Sequence, residues 1–386
     1  MLIRMKFEID SLVNEILDKL PNEVWNDPNH TFLDPSAGGG QFLKEIERRL
    51  LNAGHSKENI HSRVFGFFDS VLELNYAKNK HNLNSNLYIA DISTIKNIIA
   101  RELHNMKFDI VVGNPPFQPP VINTGDRKGS GNKLWPKFIE LSFEITHEKS
   151  YISLITPSNW RTSNFSKGQA FEAAKLMWDY NIDFVKDVSS EFGGIASQLQ
   201  IDSWGINRSI KCKKTDIFEK IKFLPIKSKN IEQLKEFFMK IVADENCFEM
   251  NIKGYRDEYI PGACIEGPVG DSNHPYKHIN TFSQMNKGLY HWYSRMTPGF
   301  NDKKVIVCNS VNINVLNNKI AIYDDGNTGC GHNCAAFTVS SEEEGIKLTN
   351  YLNNSSIIKD LIKEYNGPNG YAIPYHLLKK IPKDLI

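Results

Sequence analysis

The chain has 386 residues, 40% of them hydrophobic and 24% charged, which is ordinary for a globular protein and more than one typical domain holds. Forty-six Lys and Arg against 45 Asp and Glu leave a formal net charge of +1, so any contact with a polyanion must come from a local face. No apolar run approaches a membrane span, and the opening stretch Met1 to Glu8 turns charged too soon for a secretory signal, so the cytoplasm is the expected compartment.

Taken in order, Phe7 to Leu20 carries Ile9, Leu12, Val13, Ile16, Leu17 and Leu20 at helical spacing, closed off by Pro21. Thr31 to Asp34 reads as a short strand, and Pro35-Ser36-Ala37-Gly38-Gly39-Gly40 as a turn feeding a helix from Gln41 to about Ala53. Glycines let backbone approach a ligand closely, and the helix start behind them offers free N–H groups. Val64 to Asp69 is the next strand, followed by a helix over roughly Leu72 to Lys80. Leu87 to Ile92 is the third strand, and Asp91 at its end is placed to cap a helix starting near Ser93.

Phe108-Asp109-Ile110-Val111-Val112 suits a strand buried on both faces of a parallel sheet. It runs into Gly113-Asn114-Pro115-Pro116-Phe117, where two prolines stop the strand and stiffen the backbone. The Asn114 amide oxygen, the Pro115 carbonyl and the Phe117 ring together suit a planar group bearing an NH2, such as a nucleobase. The stretch Val121 to Lys133 is glycine-rich and positive, with Arg127, Lys128 and Lys133. It is read equally as a solvated excursion or as a loop that clamps a phosphate. A helix over Leu134 to Ile145, a buried strand over Tyr151 to Trp160 and a helix over Phe171 to Tyr180 follow. Ile182 to Phe192 and Leu199 to Ile206 complete a doubly wound, mostly parallel α/β sheet.

The stretch Asp34-Pro35-x-Ala37-Gly38-x-Gly40-x-Phe42, followed downstream by Asn114-Pro115-Pro116-Phe117, resembles the motif pair of the gamma-class N6-adenine DNA methyltransferases, to which the TaqI modification enzyme belongs. The resemblance spans about residues 30 to 207. It implies a Rossmann-like methyltransferase sheet and S-adenosylmethionine as cofactor. Asp34, Pro35, Ala37, Gly38, Gly40 and Phe42 would then cradle the cofactor's methionine and ribose end. Asp69 would take the ribose hydroxyls, one residue beyond the usual acid, whose place Phe68 occupies. Asp91 would accept from the adenine amine. Asn114, Pro115, Pro116 and Phe117 would form the catalytic turn, with Asn114 also bordering the cofactor. Phe192 falls near the family's aromatic that packs on the extruded base, although a core Phe is the plain alternative.

The implied organisation is a catalytic domain over 1–208 and a mixed α+β DNA target-recognition domain over 209–386. From residue 211 on, 23 Lys and Arg face 20 Asp and Glu, too small an excess to mark a DNA-binding face by itself. Leu289-Tyr290-His291-Trp292-Tyr293-Ser294-Arg295 interleaves aromatics and cations and is read first as a core strand or helix. Arg295, with Lys128, Lys133 and Phe192, completes the set of candidate DNA contacts. The amide-rich stretch Asn309 to Asn318 reads as a loop, while Glu342 to Leu352 and Ile357 to Tyr365 read as helices.

Cys330, His332 and Cys334 cluster in Gly-Cys-Gly-His-Asn-Cys, with Cys264 and Cys308 as distant candidates. No second ligand pair follows, so free thiols on a surface loop are expected, and no metal. The expected partners are double-stranded DNA and a cognate restriction endonuclease, with the enzyme a monomer on DNA. N4-cytosine methylation and a non-catalytic specificity subunit are the competing readings.

Overall fold

The computed structural model describes residues 10–118, 133–161, 169–192, 200–211, 217–221, 223–225, 230–243, 246–254, 264–266, 269–283, 288–295, 299–308, 319–331, 333–366 and 373–386. The chain divides into two compact units, Met1–Thr215 and Asp216–Ile386.

The first unit is built on strands β1 (Phe32–Asp34), β2 (Val64–Phe68), β3 (Asn86–Ile89), β4 (Phe108–Gly113), β5 (Thr146–Pro157), β6 (Tyr180–Asp187) and β7 (Ile201–Lys211). They form one sheet in the order β3-β2-β1-β4-β5-β7-β6, in which β7 alone runs against the rest. This is a Rossmann-like, doubly wound sheet. From β1 the chain winds outward through β2 and β3, then crosses back to lay β4 on the other side of β1. Ligands of such sheets bind at this switch point, outside the carboxyl ends of the strands on either side of it.

The central strands read as apolar runs because both of their faces are covered; Phe32, Leu33, Phe67, Phe68, Ile110, Val111 and Val112 are 0% exposed. Burial of each such side chain is worth roughly 1.5–3 kcal/mol. Helix α1 (Asp10–Leu17), α3 (Gln41–Asn52) and α5 (Val71–His81) contribute Leu17, Leu43, Ile46, Leu50 and Ala77 to the core cluster beneath β1 and β2. The α1 boundaries fall inside the predicted helix. Helices α2 (Glu23–Asn26) and α4 (Lys57–Arg63) were not legible as periodic segments, being one or two turns long, whereas α6 (Ile95–Arg101) follows the expected helix start near Ser93. Helices α7 (Trp135–Ile145) and α8 (Gln169–Trp178) lie where apolar spacing predicts them.

At the amino edge of the sheet, Asp109 fixes the register of β1 against β4. Its Oδ2 accepts from Thr31 N at 2.8 Å and Thr31 Oγ1 at 2.7 Å, and its Oδ1 pairs with His147 Nε2 at 2.5 Å. Burial opposes its charge, but the Thr31 and His147 hydrogen bonds outweigh that and hold its pKa below the ordinary value. Phe32 pairs with Ile110 and Leu33 with Val111, so the two strands end side by side.

The second unit contains β8 (Cys247–Lys253), β9 (Cys264–Glu266), β10 (Tyr276–Ser283), β11 (Gly288–Ser294), β12 (Lys303–Cys308), β13 (Ala321–Asp325), β14 (Gly329–Cys330), β15 (Cys334–Thr338) and β16 (Lys380–Pro382). Helices α9 (Ile217–Ile221), α10 (Ile231–Ala243), α11 (Glu342–Asn354) and α12 (Ser356–Asn366) complete it. A five-stranded sheet, β13-β12-β15-β8-β16, lies beside a four-stranded one, β14-β10-β11-β9. Alternate residues of β12 serve two cores: Val305 and Val307 pack with Phe237, Phe337, Leu348 and Leu361, whereas Ile306 and Cys308 pack with Ile279 and Cys330. This is a mixed α+β layering, and it places Leu289 to Ser294 in a strand, β11.

The expectation of a thiol-bearing surface loop is corrected here. Cys330 pairs with Ile279 through β14, and Cys334 opens β15 opposite Cys308. Cys308, Cys330 and Cys334 are 0%, 0% and 4% exposed, and Cys308 Sγ lies 2.7 Å from Cys334 Sγ. The turn residues around them suggested a loop, but the apolar layer between the two sheets takes up the sulfurs. Burial pushes the Cys330 thiol above its ordinary pKa. His332 lies outside the described residues. Among the described residues no group of three His, Cys, Asp or Glu side chains is arranged to hold a metal ion, and no helix is long and apolar enough to cross a membrane.

Candidate active site

Two turns leave the carboxyl ends of the neighbouring strands β1 and β4, at the switch point. The first is Pro35 to Gly40. Gly38 and Gly40 adopt φ of 56° and 80°, a region costly for other L-residues, so these two glycines are required by the backbone. Gly39 is different: a Cβ there would meet only the flexible end of the Gln41 side chain. Ala37 N donates to Phe67 O at 2.8 Å, which ties the turn to the end of β2. Gly40 is the cap residue of α3 and supplies no side-chain cap, so the first-turn N–H groups of α3 face the turn without one.

Asp34 and Phe42 sit beneath this turn rather than on its open face. Asp34 is 1% exposed and its Oδ1 accepts from Ser36 N at 3.0 Å; Phe42 is 4% exposed within the core. Pro35, Ala37, Gly38 and Gly40 are buried and Gly39 is half-buried. Asp34 therefore shapes the turn from inside.

The second turn is Asn114 to Phe117. Asn114 is half-buried, Pro115 buried, and Pro116 and Phe117 half-buried. Among the described residues nothing donates to or accepts from the Asn114 amide, and nothing donates to the Pro115 carbonyl. A stiff corner thus offers two unengaged acceptors, the arrangement that binds an exocyclic amine. The two turns meet through Gly113: a Cβ there would lie 2.7 Å from Asp34 Oδ1. The carboxylate that shapes the glycine turn therefore presses on the backbone immediately before Asn114. Gly113 carries no side-chain chemistry, which is why the sequence reading passed over it.

Phe192 closes the far side. It is 6% exposed, and its ring centroid lies 6.3 Å from that of Phe117 with the planes 47° apart. A base stacked between two parallel rings needs roughly 7 Å between them, two van der Waals contacts. Insertion between this pair would therefore require the rings to part by about 1 Å and turn parallel. Lys133 is half-buried and precedes Leu134, whose N donates to Phe117 O at 3.0 Å, so it lies beside the Asn114 corner. Lys128 lies outside the described residues.

The outer acids stand apart from this corner. Phe68 is 0% exposed, and Asp69 follows β2 as an exposed residue. Asp91 is exposed past the end of β3, and its Oδ1 accepts from Ser93 N at 2.9 Å and Thr94 N at 3.1 Å. The Ser93 hydroxyl bond, first, and the Thr94 bonds hold its pKa below the ordinary value against the cost of burial. Asp91 thus closes the turn that leads into α6, whose cap residue is Thr94, and keeps its charge near neutral pH. Arg295 is exposed at the end of β11, in the second unit.

Part of this chain is similar to known proteins. Residues 40–192 match the family described as Eco57I restriction-modification methylase, a span that begins in the glycine turn, contains Asn114 to Phe117 and ends at Phe192. An "Uncharacterized adenine-specific methylase" of Mycoplasma pneumoniae is 30% identical over 98 residues, 25% of this chain and 21% of that protein. The M protein of the type I restriction enzyme EcoKI superposes with a TM-score of 0.39 at 17% identity, over 53% of this chain and 44% of its own. The type IIG restriction endonuclease BpuSI gives 0.45 at 10% identity, over 98% of this chain and 59% of its own. The chain spans only about a fifth of the curated relative it matches and under half of the EcoKI protein.

Proposed function

We propose that this chain is a DNA methyltransferase of the restriction-modification type, carrying a methyl group from S-adenosylmethionine to N6 of an adenine extruded from duplex DNA. The observation that carries the reading is the pair of turns at the ends of β1 and β4: one shaped by glycines for close approach, the other offering two acceptors that no described residue engages. The match of residues 40–192 to the Eco57I restriction-modification methylase family supports the same assignment.

The residues fit the cofactor on two counts. Gly38 and Gly40 open the turn where side chains would intrude, and the α3 start lacks a capping side chain. Pro35 to Gly40 would hold the methionine end, Asp69 the ribose and Asp91 the adenine amine. When bound, S-adenosylmethionine supplies a methyl group on a sulfonium, open to in-line attack. Asn114 Oδ1 and the Pro115 carbonyl accept the two protons of the target amine and raise electron density on its nitrogen. Phe117 stacks on the base and Phe192 confines it from the other side. Extrusion is needed because the amine is inaccessible to in-line attack within the base stack. Positioning and polarisation of the amine supply the catalysis, without a strong base. Lys133, and Lys128 beyond the described residues, would neutralise a phosphate beside the extruded nucleotide. The second unit would read the target sequence, with Arg295 among its DNA contacts. The enzyme would act as a monomer on DNA beside a cognate restriction endonuclease.

The test is incubation with labelled S-adenosylmethionine and mixed-sequence duplex DNA, followed by nucleoside analysis by mass spectrometry. N6-methyladenine is the expected product. N4-methylcytosine alone would move the assignment to cytosine, and no transfer together with no cofactor binding by calorimetry would favour a specificity subunit.

A further inference from the structure

The chain on either side of residues 193–199 is tied together by one carboxylate. Asp187, the last residue of β6, accepts from Ser189 N at 2.8 Å through Oδ1 and from Gln200 Nε2 at 3.0 Å through Oδ2. Ser189 Oγ in turn accepts from Ile201 N at 2.9 Å, and Val188 N donates to Ile201 O at 2.9 Å. Gln200 O accepts from Ser158 N at 3.0 Å, which carries the tie to the turn after β5. Ser189 and Gln200 are 5% and 6% exposed and Asp187 is half-buried, so these bonds are partly shielded from water.

The short 3-10 turn Ser189 to Phe192 starts at this tie and delivers the Phe192 ring against Phe117. Val188 and Phe192 share a core cluster with Val112 and Ile201. The ring is held by apolar packing, and the position of the turn that carries it is set where Ser189 begins.

We propose that Asp187 is a positioning residue of the transfer reaction, setting the Phe192 ring against Phe117 by gripping Ser189 and Gln200. The inference rests on the reading of Asn114 to Phe117 and Phe192 as the base site. It differs from a general structural role in one checkable respect. Gln200 Oε1 is buried with no hydrogen-bond partner. In an Asp187→Asn variant the new Oδ1 still accepts from Ser189 N, and its Nδ2 donates to a flipped Gln200 Oε1. The grip survives. In Asp187→Ala both bonds vanish.

The experiment is a double-mutant cycle on turnover at saturating cofactor and DNA. Asp187→Ala should lower kcat on the order of tenfold, as sub-ångström misplacement does, with KM for S-adenosylmethionine nearly unchanged. Asp187→Asn should restore most of it. In a Phe192→Ala background the Asp187→Ala penalty should vanish, because its target is gone. An equal penalty in both backgrounds, or an Asp187→Ala enzyme as fast as the parent, overturns the proposal. If the parent itself transfers no methyl group, the functional reading falls and with it any role of Asp187 in transfer, while the setting of the Phe192 ring by Asp187 is decided separately by fluorine resonance. 4-Fluorophenylalanine at position 192 should give one fluorine resonance in the parent that shifts or broadens in Asp187→Ala. An unchanged resonance rejects the grip.

Discussion

Gly113→Ala tests the junction of the two turns. The new Cβ would stand 2.7 Å from Asp34 Oδ1, 3.4 Å from Asp34 Cγ and 3.5 Å from Pro35 Cδ. The first distance is too short for any carbon–oxygen contact, so something must yield. If Asp34 stays, β4 and Asn114 shift away from β1, an overpacking cost of about 1–3 kcal/mol. If Asp34 swings aside, it forfeits its bond from Ser36 N, worth about 1.5–3 kcal/mol for a buried charged acceptor. These are alternative routes and the cheaper one sets the cost, so about 1–3 kcal/mol is expected. For a unit of this size that is a fall of roughly 2–12 °C in Tm. Either route moves one turn relative to the other by tenths of an ångström, and a 1 Å error costs on the order of a hundredfold, so turnover should fall about tenfold or more. The assays are thermal unfolding and methyl transfer under saturating conditions. Gly54→Ala is the control: its φ of 89° costs about 1–2 kcal/mol, yet a Cβ there meets nothing within 4 Å and turnover should hold. A Gly113→Ala enzyme with parental Tm and parental turnover would refute the account of this junction.

Asn114→Ala should reduce turnover by about a hundredfold or more, the usual cost of a lost polarising group, while DNA affinity by gel shift stays within a few-fold. Gly40→Ala should weaken S-adenosylmethionine binding by calorimetry, since Gly40 holds φ at 80° and its Cβ would press on Ala77 at 2.9 Å. Gly39→Ala should bind nearly as the parent, its Cβ meeting only the Gln41 side chain. Stability should fall with acidification below about pH 6.5. Burial lowers the His278 pKa to about 4, and burial with the nearby Lys379 charge does the same for His376. Both therefore fold neutral. Between pH 6.5 and 4 the unfolded chain binds more protons, so each contributes a loss of up to about 1.4 kcal/mol per pH unit in that window. Urea unfolding at pH 7.5 and pH 5 should show it, and His278→Gln should have the shallower slope; a slope unchanged in that variant would exclude His278 as a source.

The sequence announces β1 and β4, and the two turns that leave them, through strong local signals. Apolar runs end at residues with fixed backbone demands: Gly38 and Gly40 by positive φ, Pro115 and Pro116 by ring closure. What stayed hidden depends on pairing between distant segments. The Asp109–Thr31–His147 lock spans 78 and 38 residues of chain, and no local pattern announces it. Asp187 reads locally as a polar strand end, and only the antiparallel return of β7 brings Gln200 onto it. The cysteines misled because glycine-rich composition signals a loop, while the sheet-to-sheet layer that buries them is assembled from β10, β12, β14 and β15. Asp34 and Phe42 carried motif identity but not exposure, since residues that shape a turn from within look in sequence like those that line it.

On the proposed function, the Gly38–Gly40 turn and the Asn114 corner share one cleft. A crystal structure with sinefungin, in which an amine-bearing carbon replaces the sulfonium of S-adenosylmethionine, tests it most directly. The amine should lie within about 3–4 Å of Asn114 Oδ1, with the methionine end on the Gly38–Gly40 turn. The analogue bound elsewhere on the first unit, or bound at the glycine turn with Asn114 pointing away from it, would contradict the claim.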